Sequence, residues 1–264
     1  VHAISSELGR RGYFAQIALA DADLMTEERC IDELTRTGVR GFVFIGGRHA
    51  QLDGAVEHYR RLAADGAAMV FVNGRPVDID VPQISCDEEA GARMATRHLI
   101  VLGHSRIGCL LGPRGFIPTS RFIEGYRSVL ADHGLDELPG SVVEVPFTLA
   151  GGRAGAARLL ELGCTAAIAG NDLMALGGLQ ASLNGGGSPL SVVGYDGTNF
   201  TSHTNPPLTT LRQPFEEMSH LITEAIVAEM TGSTRYRDRF VFEPRLIVRG
   251  STTRPRDAFT APTR

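Results

Sequence analysis

The feature that most constrains this chain is its alternation of helix-length and strand-length hydrophobic patterns, sustained almost from end to end. Short apolar runs, Gly41–Ile45, Ala67–Val72, Ile107–Leu111, Ala166–Ala169 and Ser191–Gly194, are each followed by a segment with helical periodicity. Helices are read over 2–11, 25–37, 50–65, 87–102, 119–133, 151–162, 172–183 and 214–231. Further strands are read over Tyr13–Ala20, 142–145, 239–242 and 245–248. Strands alternating with helices of this length imply βαβ units and parallel sheets, whose strands are apolar on both faces. The expected fold is α/β, with two doubly wound parallel-sheet lobes. A length of 264 residues fits two lobes of ordinary size.

Local signals agree with the pattern. Asp87 stands where a helix N-cap belongs, with Glu88 and Glu89 in the first turn beside the positive end of the dipole. Gly12, Gly38 and Gly103 close three of the helices. His98 and His104 flank one of those ends and read as C-capping groups. The polar tail after Ser251 reads as frayed, and Gly185–Ser188 as a surface loop.

Composition then removes classes of function. No apolar run approaches the roughly 18 residues of a membrane span, and no charged-then-apolar leader opens the chain. The four cysteines (Cys30, Cys86, Cys109, Cys164) are widely spaced and form no C-x-x-C pair, so they read as reduced thiols of a cytoplasmic protein. All 26 basic residues are Arg, the net charge is −4 and Trp is absent. Such a chain lacks the concentrated positive face that phosphate backbones require. Lys is absent, which rules out a Walker phosphate loop, and neither a G-x-S-x-G elbow nor an H-E-x-x-H pair occurs. Nothing marks an enzyme, a metal site or a bound cofactor.

Polar residues instead gather at the carboxyl ends of successive strands, where open α/β sheets bind ligands. One strand ends at Gly170-Asn171-Asp172, another at Tyr195-Asp196-Gly197-Thr198, and the strand ending at Leu111 leads toward Arg121. Asp172 reads as an N-cap and Asn171 as either turn chemistry or a ligand contact. Asp196 reads as a ligand contact, because a carboxylate ending a buried strand needs partners.

The stretches DEEAGARMATRHLIVLGHSRIGCLLGP (87–113), TSRFIEGYRSVL (119–130), AAIAGNDLMALGGLQA (166–181), LSVVGYDGT (190–198), PPLTTLRQPFEEM (206–218) and LIVRGST (246–252) resemble the effector-binding core of the lactose/galactose repressor family. These bacterial regulators are built on the type I periplasmic-binding-protein-like fold. The resemblance implies three crossings between the lobes and an effector in the cleft. The N-terminal lobe would be 1–111 plus 214–240, lacking its first strand, and the C-terminal lobe 112–213 plus 241–264. It implies DNA binding through a helix-turn-helix headpiece that these 264 residues do not contain, a homodimer, and effector control of operator affinity. The positions matching the family's sugar contacts are Arg121, Asn171, Asp196 and Gln213, with Phe215 beside them and Asn73 and Arg75 from the N-terminal lobe. A carboxylate, an amide and a guanidinium suit paired sugar hydroxyls, and an aromatic face suits the C–H side of the ring. This set favours a monosaccharide or sugar derivative over a purine. Phe215 also fits the apolar stripe of its own helix, with Met218, Ile222 and Ala225. An extracytoplasmic sugar-binding protein of a transport system shares fold and chemistry, and is the rival reading.

Overall fold

The computed structural model describes residues 1–20, 25–74, 78–184 and 189–255. Gly185–Ser188, read above as a loop, and the end of the tail lie outside them. The chain divides into two compact units, Val1–Cys86 with Pro214–Phe242, and Asp87–Gln213 with Glu243–Arg264.

The first unit holds α1 (His2–Arg10), α2 (Glu27–Arg36), β1 (Gly41–Ile45), α3 (Glu57–Ala64), β2 (Ala68–Val72) and β3 (Gln83–Cys86). The returning chain adds α8 (Phe215–Met230) and β9 (Arg239–Phe242). The four strands form one parallel sheet in the order β1-β2-β3-β9. Because side chains alternate along a strand, Ala68, Val70 and Val72 pack with Ile222, Ala225 and Ile226 of α8 on one face. Met69 and Phe71 pack with Ile31, Tyr59 and Leu62 from α2 and α3 on the other. Thr26 caps α2, its hydroxyl accepting from the Arg29 N–H.

The second unit holds α4 (Glu88–Val101), β4 (Ile107–Leu111), α5 (Ile117–Asp132), β5 (Val142–Glu144), α6 (Leu149–Glu161), β6 (Ala166–Ala169), α7 (Asp172–Asn184), β7 (Ser191–Asp196), β8 (Thr209–Arg212) and β10 (Arg245–Ile247). Its sheet runs β10-β8-β7-β6-β4-β5, parallel except for the antiparallel edge pair β10–β8. Ile107, Cys109 and Leu111 meet Leu99 of α4 and Phe122 and Tyr126 of α5, whereas Leu110 and Ala167 meet Leu159 of α6 and Met174 and Leu179 of α7. Helices α6 and α7 approach until backbone touches backbone. A Cβ on Gly152 would collide with the Met174 carbonyl, and one on Gly177 with the Leu149 carbonyl.

The structure corrects several expectations. Residues 13–20 form no strand, and Phe14 is 95% exposed; alternation alone does not make a strand where no neighbour completes a hydrogen-bonded ladder. Strands β3 and β8, four residues each, were not read from sequence because so short a run carries little periodicity. The helix expected over 50–65 shortens to α3. The first division between units falls at Cys86–Asp87 and not near Gly112, because α4 packs on α5 and β4 hydrogen-bonds to β5 and β6. The His104 backbone N–H helps close the end of α4 by donating to the Leu99 carbonyl at 3.1 Å, but the side chains of His98 and His104 do not cap the helix. His98 Nε2 lies 2.9 Å from Thr252 Oγ1, and His104 Nε2 lies 2.8 Å from the Thr253 carbonyl. These contacts pin the segment after β10, where Ser251 and Thr252 are buried rather than frayed.

Candidate functional site

Four adjacent strands of the second unit, β4, β6, β7 and β8, each deliver one of the expected polar residues at or beyond the carboxyl edge. Arg121 follows β4 on α5, Asn171 follows β6, Asp196 is the last residue of β7, and Gln213 comes directly after β8. The parallel register puts Ile168 opposite Val193 and Asp196 opposite Arg212, so the strand ends are level. This is the edge at which parallel α/β sheets present ligand-binding groups.

Asp196 and Gln213 form the centre of the site. The Gln213 side-chain Nε2 donates to Asp196 Oδ1 at 2.8 Å, and its backbone N–H donates to the Asp196 carbonyl at 3.2 Å. Gln213 is buried, and its Oε1 has no hydrogen-bond partner among the described residues. Asp196 has a φ of 111°, a conformation that L residues adopt rarely and that persists only when the surroundings hold it. Burial pushes its carboxyl up to about 7, the nearby Asp172 charge adds to the rise, and the Gln213 hydrogen bond opposes it.

Asp172 holds this geometry in place. It is buried at the first residue of α7, where it accepts from the Thr198 N–H at 2.7 Å and the Thr198 hydroxyl at 2.6 Å. Its other oxygen accepts from the Thr210 hydroxyl on β8, also at 2.6 Å. One carboxylate therefore ties α7 to β8 and to the turn after Asp196. The expectation that Asp172 is the N-cap is corrected: Asn171 caps the helix, its Oδ1 accepting from the Met174 N–H at 2.8 Å. Only the remaining hydrogen-bonding capacity of Asn171, its amide NH2 and the second lone pair of Oδ1, is left to meet a ligand.

Arg121 is partly buried and its Nη1 lies 3.6 Å from Glu88 Oε2. Sequence reasoning took Glu88 for a helix-dipole acid and missed its burial. It placed the cap correctly, since Asp87 Oδ1 accepts from the Ala90 N–H at 2.9 Å. Nothing in the sequence next to Glu88 signals the burial, which is set by packing within the unit.

The remaining expected residues belong to the first unit. Asn73 follows β2 with a φ of 55°, and its Oδ1 accepts from the Cys86 N–H at 3.2 Å. Phe215 opens α8 and is 45% exposed, so it stands apart from the core formed by Met218, Ile222 and Ala225. Arg75 lies outside the described residues.

Among the described residues there is no group of three or more His, Cys, Asp or Glu that could hold a metal ion. The second unit presents a carboxylate, two amides and a guanidinium, a mixture of acceptors and donors suited to hydroxyl groups. No helix among the described residues is long and apolar enough to cross a membrane.

Residues 96–252 match the family model described as a periplasmic binding protein-like domain. The chain is 40% identical over 233 residues to an uncharacterized HTH-type transcriptional regulator encoded in the aml 5′ region of Streptomyces limosus, covering 86% of this chain and 66% of that one. It is 37% identical over 256 residues to the HTH-type transcriptional regulator MalR of Streptomyces coelicolor, covering 94% and 74%. The chain thus spans about two thirds to three quarters of the length of these relatives, which are regulators rather than enzymes. Among solved structures it is similar to the transcriptional regulator CelR in complex with cellobiose, at 28% identity and a TM-score of 0.82, covering 94% of this chain and 76% of that one.

Proposed function

This chain belongs to the lactose/galactose repressor family of transcriptional regulators, and we propose that it is the effector-binding portion of a cytoplasmic regulator, a repressor, that senses a sugar or sugar derivative. The observation that carries the reading is the Asp196–Gln213 pair. A half-buried carboxylate and a buried amide share one hydrogen bond at the sheet edge, leaving Gln213 Oε1 without a donor among the described residues. A ligand hydroxyl can supply that donor while accepting from a neighbouring group. The solved relative that holds cellobiose on the same fold supports the choice of a saccharide.

In this proposal Arg121, Asn171, Asp196 and Gln213 bind the hydroxyls, and Asn73, Arg75 and Phe215 contribute from the first unit. The exposure of Phe215, two residues after Gln213, supports a ring available to a sugar face. The protein is proposed to perform no catalysis, to act as a homodimer, and to reach operator DNA through a helix-turn-helix headpiece of the kind its relatives' names imply. Effector binding would change operator affinity by the difference between its affinities for the two conformations of the regulator, about 1–3 kcal/mol. The rival reading as a transport component shares the fold, but the named relatives are regulators, which favours gene control.

The test is calorimetric titration of the chain with a panel of ribose, glucose, maltose and cellobiose. At least one is expected to bind in the micromolar range, about −8 kcal/mol, and Asp196→Ala should abolish the heat. A sugar that binds Asp196→Ala with unchanged affinity would overturn the assignment.

A further inference from the structure

Glu88 is the first residue of α4, only 4% exposed, with an Oε2 that no hydrogen-bond donor reaches among the described residues. Stabilising the helix dipole does not explain this burial, because Asp87 already caps the helix and Glu89, in the same turn, does its work from solvent. A carboxyl taken out of water without a matched partner is destabilising unless a charge is held close. The charge present is the Arg121 guanidinium on α5, 3.6 Å from Glu88 Oε2 and reaching the surface with the rest of its side chain.

Resting on the reading of Arg121 as a ligand contact, we propose that Glu88 is the positioning residue for Arg121: it holds one end of the guanidinium from inside the unit so that the other N–H groups face the ligand. An arginine alone has many rotamers and loses that freedom on binding; a buried counter-charge removes the freedom in advance. The separation of 3.6 Å is slightly longer than a good hydrogen bond, leaving the guanidinium room to settle on a ligand without losing its partner.

The charged neighbours of Glu88 are few. Helix α4 packs on α5, β6 and β10. From α5 comes Arg121, β6 carries no charged residue, and the one on β10, Arg245, is exposed. Asp87 acts from the cap. Burial raises the Glu88 carboxyl to about 7; a hydrogen bond from its own backbone N–H and the Arg121 charge pull it back, and Asp87 adds to the rise. The Glu88 carboxyl therefore titrates within reach of neutral pH.

Two measurements on the 264-residue chain test the proposal. The first needs no sugar. In a 15N-arginine sample, the Arg121 Nε–Hε resonance, assigned by its loss in Arg121→Gln, should shift with a midpoint near pH 7 in the unmodified protein and stay flat in Glu88→Gln. A resonance that does not move in the unmodified protein overturns the pairing, whatever the folding of the variant. The second is a double-mutant cycle with the tightest sugar of the ribose, glucose, maltose and cellobiose panel. At pH 8, Glu88→Gln should weaken binding about 5- to 20-fold when Arg121 is present and leave it unchanged in an Arg121→Gln background. An equal loss in both backgrounds overturns the positioning role. If no sugar in the panel binds while Arg121 still follows Glu88, the saccharide reading fails and the pairing stands.

Discussion

Gln213 and Asp196 are joined twice, once by backbone N–H to carbonyl at 3.2 Å and once by side-chain amide to carboxylate at 2.8 Å. The double link fixes the end of β7 against the exit of β8, and it accounts for how a non-glycine residue is held at a φ of 111°. It also leaves the amide oxygen of Gln213 facing no donor. Rigidity and unmet hydrogen-bonding capacity meet at one point, the combination a preorganised polyol site requires.

Removing the amide separates these roles. Gln213→Leu should weaken sugar binding by about 0.5–1.5 kcal/mol, the usual net size of a hydrogen bond between neutral groups. It should also push the Asp196 carboxyl further up, because the bond that stabilises its ionised form is gone. Calorimetry at pH 6 and pH 8 reads both effects; equal affinity in variant and parent at both pH values contradicts the prediction.

The pH dependence of stability follows from Asp196 and has a definite sign. Its folded value, about 7, lies above the ordinary 3.8. Between those values the folded protein holds a proton that the unfolded chain has released. Its stabilising contribution is complete below about pH 4 and is lost as pH rises through 7. Asp196→Asn removes the titration, so without ligand the variant should be more stable than the parent at pH 8, by about 1–3 kcal/mol, and no more stable at pH 4. Glu88 titrates in the same window and keeps part of the slope. Urea unfolding at the two pH values measures the difference.

Asp172 should matter for stability more than for contact. Asp172→Ala deprives the Thr198 N–H and two hydroxyls of their acceptor inside the protein, at about 2–4 kcal/mol in total. Sugar affinity should fall with it, since the turn after Asp196 loses its tie to α7. Asp172→Asn should recover part of both losses. Thermal unfolding and calorimetry on the two variants check this; a fully stable Asp172→Ala would show that the carboxylate is not the tie.

Gly177→Ala should loosen the second unit without touching the site. The added methyl meets the Leu149 carbonyl, and backbone cannot rotate away as a side chain can. Forcing α6 and α7 apart should cost about 1–3 kcal/mol and lower Tm by several degrees. Affinity measured well below the transition should be unchanged. A variant with unaltered Tm would mean that the helices can separate freely.

A pH effect of the opposite sign is expected at His104. Burial holds its imidazole below the ordinary 6.5, and the hydrogen bond to Thr253 only partly offsets this. Its stabilising contribution is present above 6.5 and lost as pH falls through the lowered value. The segment after β10 should therefore become easier to cleave by protease near pH 5 than near pH 7.5, and this difference should shrink in His104→Gln.

Local pattern by itself determined the alternation of helices and strands, the parallel sheets, the cap at Asp87, and the polar residues Asn171 and Asp196 at strand ends; Gln213 was legible only through the family resemblance. Each of these local features depends on a side chain and its near neighbours in the chain, so a periodicity of 2 or 3.6 and a capping residue record it. Other outcomes were decided only by segments far apart in sequence. Whether Tyr13–Ala20 becomes a strand depends on an adjacent strand, and among the described residues none pairs with it. The first unit ends at Cys86 because α4 and β4 find their partners in the second. Asn171 rather than Asp172 caps α7 because Thr198 and Thr210, 26 and 38 residues further along, claim the aspartate. Glu88 looks like any first-turn acid until the fold buries it beside Arg121. Pairing, burial and the proton affinity of a carboxyl are set by what surrounds a residue in space, and that is decided by the packing of distant segments.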